Sequence, residues 1–378
     1  MRLFGIALAF AAGAAASNLA LHALPSRFGI DLAQPIVVAT EWGSDGVRFW
    51  CILACTLAVA FIFYIMQLRA PLSMTRTLLA SGLALLAGLF WLPLLSSDVY
   101  AYAAYGEMVR VGLDPYVHHA ANGNVLIANA DWQWRPVPTP VCVYGPTFVA
   151  IARAIVTVMH GLGPLAVLES FRVVSCSALL LCGYLAGKLG GARAAAFVAC
   201  NPVALWVAIE GHNDAIALAV ILLGIIAFAH GRTLGAALVL IGVAVKLPLL
   251  TIARIAPGLA AHGQYHAYAS VQALGIPIAL VTLLFVLLRA RAATTTADRW
   301  CTIALAAWVA LPNPYPWYAL WLLPPAAFAR DRRVIATSLA VGAVAIARYL
   351  PDAVSLPEGF NAFALGAIAL TAYAPLVL

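Results

Sequence analysis

VYGPTFVAIARAIVTVMH, residues 143–160, is as apolar as a membrane span, yet it opens on Gly145-Pro146 and carries Arg153 in its middle. Whether it crosses a bilayer decides the sidedness of everything after it. The surrounding composition is that of a membrane protein. Of 378 residues, 64% are hydrophobic and 9% charged, with a mean hydropathy of +0.98, against roughly 25% charged residues in soluble domains. Apolar runs fall at about 3–21, 49–67, 78–95, 143–160, 168–187, 194–209, 214–230, 233–255, 267–288, 300–311, 317–329, 334–350 and 360–378. A spanning helix needs about 20 apolar residues, so these runs predict an all-α polytopic fold, one integral-membrane domain over residues 1–378. MRLFGIALAFAAGAAAS has the basic start and small residues of a cleavable signal, but its apolar character continues to Leu24, and a retained first span is expected.

If every run crosses, starting inside, Lys188/Arg193, Arg232, Arg289/Arg291/Arg299 and Arg330/Arg332/Arg333 all face outward, against the positive-inside rule. If 143–160 instead lies along the outer surface or re-enters it, every cluster moves to the cytoplasm and about twelve spans remain. Gly145-Pro146 and Arg153 suit an interfacial helix better than a lipid-exposed span. A large outer loop then runs from Ser96 to about Pro164, and loops of this length inside a compact fold tend to be functional.

The net charge of +7 comes from bases scattered at the ends of apolar runs, which read as topology signals and not as a nucleic-acid surface. Seven cysteines without CxxC spacing give no reason to expect a disulfide framework or a zinc site.

The polar residues of the outer face carry the candidate chemistry. Asp98 follows the third run by two serines, where a carboxylate can act as a general base or simply cap a helix. In DVYAYAAYGEMVR, Tyr100, Tyr102 and Tyr105 predict a short interfacial helix anchored by aromatics; Glu107 and Arg110, three apart, can pair, or Arg110 can meet a phosphate. Asp114 precedes Pro115 in a turn, and His118 and His119 read as loop histidines, since adjacent histidines rarely converge on one ion. IEGHND puts Glu210, His212, Asn213 and Asp214 between two apolar runs, more polar groups than helix capping needs. Lys246 inside VLIGVAVKLPLL is costly unless paired, and Arg254 lies two turns further out; both can act as counter-charge to a phosphate. Tyr315, Trp317, Tyr318 and Trp321 in LPNPYPWYALW can anchor the chain at an interface or stack on a sugar.

The ordered set SDVYAYAAYG (97–106), GLDPY (112–116), WRPVPTPVCVYGPTF (134–148), NPVALW (201–206), EGHNDA (210–215), VKLP (245–248) and PNPYPWY (312–318) resembles the polyprenol-phosphomannose-dependent alpha-1,6-mannosyltransferases of actinobacterial cell-wall glycolipid synthesis, within the C-type (GT-C) integral-membrane glycosyltransferases. The likeness runs in order from about residue 90 to 320. It departs at Glu107, where many members have arginine, and at Cys142-Val143, which replaces a proline-rich lead into YGP. The resemblance implies an inverting enzyme of the bacterial plasma membrane that takes a hexose, mannose first, from a polyprenyl phosphate to a glycan or glycolipid on the extracytoplasmic side. It also implies juxtamembrane helices in the first large outer loop and a catalytic acid just after a span, matched by Asp98. Tyr100, Arg110, Tyr144, Glu210, His212, Asn213, Asp214, Lys246, Arg254 and Trp317 are the expected substrate contacts. A lipid-phosphate leaving group needs no metal, and no cofactor is expected. The alternative is a transporter or lipid-carrier flippase, which also uses broken helices and buried ionisable residues.

Overall fold

The computed structural model describes residues 4–20, 44–70, 73–91, 93, 96, 98–118, 141–246, 284–310, 315–349 and 371–377. All regular structure among them is helical. In chain order the helices are α1 (Gly5–Ala20), α2 (Ser44–Leu68), α3 (Met74–Gly88), α4 (Asp98–Arg110), α5 (Pro146–Met159) and α6 (Pro164–Ala199). There follow α7 (Pro202–Ile209), α8 (Asp214–Ala227), α9 (Arg232–Lys246), α10 (Thr296–Ala310), a 3-10 helix (Pro316–Leu322), α11 (Leu323–Phe328), α12 (Arg332–Ala345) and α13 (Ala374–Val377).

By length and composition, Val47–Leu68 and Pro164–Ala199 can each cross a membrane, and α7 with α8, bent by 116°, would make a third broken span. α5 has 14 residues, which at 1.5 Å per residue is about 21 Å, short of a hydrocarbon core of about 30 Å. Its inner face packs Phe148, Val149, Ala152 and Val156 against α4, while Arg153 and Val158 stay exposed.

α4 differs from the expected interfacial helix. Residues Asp98 through Met108 are all buried, covered by α5 on one side and α6 on another. Tyr100, Tyr102 and Tyr105 are therefore interior side chains and not membrane-surface anchors. Gly106 explains the closeness of α4 to α5, because a Cβ there would stand 2.6 Å from the Ala152 carbonyl oxygen.

The apolar run expected at 194–209 is two pieces. α6 breaks at Gly190 and Gly191, the latter with φ +77°. After Ala199 the chain turns into α7, which Asn201 caps by accepting from Val203 N and Ala204 N, with Pro202 at the first helical position. All eight residues of α7 are buried. This central helix delivers the Glu210-Gly211-His212-Asn213 turn into the protein interior, opposite the start of α4.

Candidate active site

Asp98, at the first position of α4, and His212, in the turn between α7 and α8, meet across this interior. His212 Nδ1 is 3.2 Å from Asp98 Oδ2, at ion-pair distance but off the line of a hydrogen bond. The Tyr102 hydroxyl, one turn along α4, donates to the same oxygen at 3.3 Å. The Asp98 side chain keeps 10% of its surface exposed while His212 keeps none, so the carboxylate is the member that meets the outside. Burial works against the charge of Asp98, but the close His212 ring, with help from Lys246 and Tyr144, outweighs it and holds the carboxyl below the ordinary carboxylate range.

The second half of the site is built on Lys246, the last residue of α9. Its Nζ donates to Asp214 Oδ2 at 2.8 Å and to Asn213 Oδ1 at 3.0 Å. It also stands 5.3 Å from the ring centre of Tyr144 and 5.7 Å from that of Tyr318, within cation–π range. Asp214 Oδ1 accepts from Trp321 Nε1 at 2.7 Å. An ammonium has three donors, and two of them have protein acceptors here. Asn213 does not cap α8 with its side chain; it turns to the lysine instead.

Aromatic rings wall the site. His212 stacks on Trp317 at 4.2 Å, and Trp317 stacks on Tyr315 at 4.3 Å. Tyr102 meets Tyr144 and Phe148 edge to face at 5.0 and 4.6 Å. The YGP turn is fixed from two sides: Tyr116 Oη donates to Tyr144 O at 2.9 Å, and Gly145 N donates to Val245 O at 3.2 Å.

Most of the expected residues thus converge: Asp98, Tyr144, His212, Asn213, Asp214, Lys246 and Trp317 form one cluster. Trp317 reaches it through the His212 ring. Tyr100 turns the other way, its hydroxyl donating to Pro93 O at 3.3 Å. Glu210 is wholly buried one residue before the Gly211 bend. Arg110 is not in the cluster; both oxygens of Glu107 hold it, at 2.6 and 2.7 Å. Arg254 lies outside the described residues, as does His119. Asp114 is a turn residue as expected, its side chain accepting from Tyr116 N at 2.9 Å. Among the described residues, no three His, Cys, Asp or Glu side chains gather where they could hold a metal ion. Tyr102 and Arg172 belong to the assembly without a site role expected from sequence, and Tyr318 and Trp321, candidates for interfacial anchoring or sugar stacking, join it through Lys246 and Asp214. For Arg172 a signal existed, since an arginine within the apolar run 168–187 is expensive unless satisfied.

Residues 3–263 match the family described as Alpha-(1->6)-mannopyranosyltransferase, N-terminal domain. The chain belongs to this family. Alpha-(1->6)-mannopyranosyltransferase A of Corynebacterium glutamicum is 30% identical over 185 residues, covering 46% of this chain and 35% of the relative. The protein of the same name from Mycobacterium tuberculosis is 32% identical over 163 residues, 41% of this chain and 31% of the relative. The chain therefore matches about a third of the length of these curated relatives. No solved structure matches it. In this member of the alpha-(1->6)-mannopyranosyltransferase family, the matched region contains Asp98, the 210–214 turn and Lys246, whereas Trp317, Tyr318 and Trp321 come from beyond it.

Proposed function

We propose that the protein is a polytopic, inverting glycosyltransferase that moves a hexose, mannose first, from a polyprenyl-phosphate donor to a glycan or glycolipid acceptor on the extracytoplasmic face of a bacterial plasma membrane. The observation that carries this reading is the separation of charge within one cluster: an ionised, slightly exposed carboxylate at Asp98 and a cation at Lys246, in a member of a mannopyranosyltransferase family.

In the reaction, an acceptor hydroxyl gives its proton to Asp98 as its oxygen bonds to the anomeric carbon. The bond from that carbon to the phosphate oxygen breaks, and the electron pair leaves with the polyprenyl phosphate. Lys246 supplies counter-charge to that oxygen through its remaining N–H. His212 and Tyr102 orient the base, and Asp214 and Trp321 orient the lysine. About twelve spans, with α4 and α5 as juxtamembrane helices of the outer loop, make up the single domain.

The bend between α7 and α8, with ionisable groups at the break, is also what a transporter of lipid carriers would use. One experiment separates the two. Purified protein in proteoliposomes receives a radiolabelled polyprenyl-phosphate mannose and a panel of mannosyl acceptors. Release of polyprenyl phosphate with a new glycosidic bond is the expected result; movement of intact donor across the bilayer without bond cleavage would refute the enzyme.

A further inference from the structure

Arg172 of α6 is fully buried, and its N–H groups serve both chain segments that bear the Asp98–His212 pair. Nε donates at 2.7 Å to the carbonyl of Ile209, the last residue of α7, directly before Glu210-Gly211-His212. Nη2 donates to the carbonyls of Trp91 at 2.7 Å and Gly88 at 3.4 Å, and Nη1 to that of Leu89 at 3.1 Å, all at the end of α3 on the way to Asp98. Nη1 also holds Glu169 at 2.7 and 2.9 Å, on the more exposed side. Gly211 closes the seam from the other direction. It has φ +86°, and a Cβ there would lie 3.1 Å from Val99 Cγ2 and 3.3 Å from Arg172 Cγ. Ser175, one turn along α6, donates to the His212 carbonyl at 2.6 Å.

We propose that Arg172 is the positioning residue that sets the separation of Asp98 and His212, by fastening the C-terminal ends of α3 and α7 to one guanidinium. Its functional meaning rests on the base reading of Asp98. Helix C-termini leave carbonyls without partners and carry negative partial charge, so two of them brought together demand a cation with several donors. A guanidinium offers five in a fixed fork, whereas a lysine offers three from a point and cannot span both ends. Asp98 is faced by His212, Lys246, Tyr102 and Tyr144. Of these, His212 is the one whose backbone Arg172 and its neighbours grip.

The test uses the full chain in detergent with 13C-labelled aspartate carboxyls, titrated by NMR, Asp98→Asn assigning the Asp98 signal. Arg172→Lys is expected to raise the Asp98 midpoint by at least about half a pH unit, as loss of a close cationic partner does. Glu169→Gln, which leaves the carbonyl bonds in place, is expected to keep the wild-type midpoint. An unshifted midpoint in Arg172→Lys overturns the inference, and so does an equal shift in Glu169→Gln, which would mark an effect of charge alone. Where Arg172→Lys does not accumulate as folded protein, Gly211→Ala crowds Val99 and Arg172 with the guanidinium intact; the same upward shift is expected, and a wild-type midpoint overturns. Transfer assays in parallel are expected to show kcat down about 10²-fold with a nearly constant KM, the signature of misplacement. If Asp98→Asn transfers sugar normally, the base reading falls, while the carboxyl titration still decides on Arg172.

Discussion

His212 lies behind Asp98: the imidazole is sealed from solvent, 3.2 Å from a carboxylate oxygen whose own side chain retains a small exposed face. The order suits the proposed role of Asp98 as a base presented to an acceptor, with its orienter held in the interior.

Asp98→Asn keeps the shape of the side chain and removes its basicity. Sugar transfer is expected to fall by about 10²–10⁴-fold, the usual worth of a positioned general base. Donor binding, read by equilibrium binding of the polyprenyl phosphate, should persist; a variant that still transfers at near-normal rate sinks the assignment.

The lowered pKa of Asp98 fixes the direction of a pH effect. Only the ionised form accepts a proton, so the acid limb of kcat/KM should lie below the ordinary Asp value of about 3.9. Activity is present above that limb and lost as pH falls through it. His212→Gln removes the largest charge-stabilising partner and moves the limb upward. A rate profile whose limb does not move on losing His212 contradicts the pairing.

Lys246→Met removes the cation beside Asp214 and leaves that buried carboxylate, among the described residues, with the Trp321 indole. Two losses are expected: about 3–5 kcal/mol of stability, from a stranded buried charge, and about 10²–10³-fold in kcat, from the missing counter-charge. Lys246→Met combined with Asp214→Asn should recover stability in detergent melting without recovering the rate. Recovery of both would make the lysine purely structural.

Gly106→Ala tests the seam between α4 and α5. A methyl group would press on the Ala152 carbonyl oxygen, and overpacking of this kind costs about 1–3 kcal/mol. A lowered melting temperature is the expected outcome; an unchanged one means the two helices are not held at this distance.

Sidedness is open to labelling. Leu162→Cys, after α5, and Lys188→Cys, on α6, both sit at exposed positions. An impermeant maleimide applied to intact cells should mark the first and spare the second. The opposite pattern removes the outer placement of 143–160.

Asp98, His212, Asn213, Asp214 and Lys246 were legible because an ionisable group beside an apolar run has few innocent explanations, and an ordered motif set tied them together. For Arg110 both readings were open, and the pairing with Glu107, three residues earlier, is the one the fold forms. The tyrosines of α4 were read as surface anchors since their spacing is amphipathic, and nothing in the spacing says that α5 and α6 cover both sides. The roles of Trp321 and Arg172 lie in partners 107 and 37 residues away, a relation that only the folded chain contains. The bend at Gly211 was equally invisible, as IEGHND reads the same in a plain hairpin.

The sealed position of His212 has a consequence for the order of events in turnover. Its Nε2 is buried and has no hydrogen-bond partner among the described residues, so in the proposed reaction a proton taken by Asp98 is not passed onward through the imidazole. It has to return by the face at which Asp98 received it. In the proposed transfer the glycosylated product would occupy that face first and would have to depart before the carboxyl resets for the next acceptor.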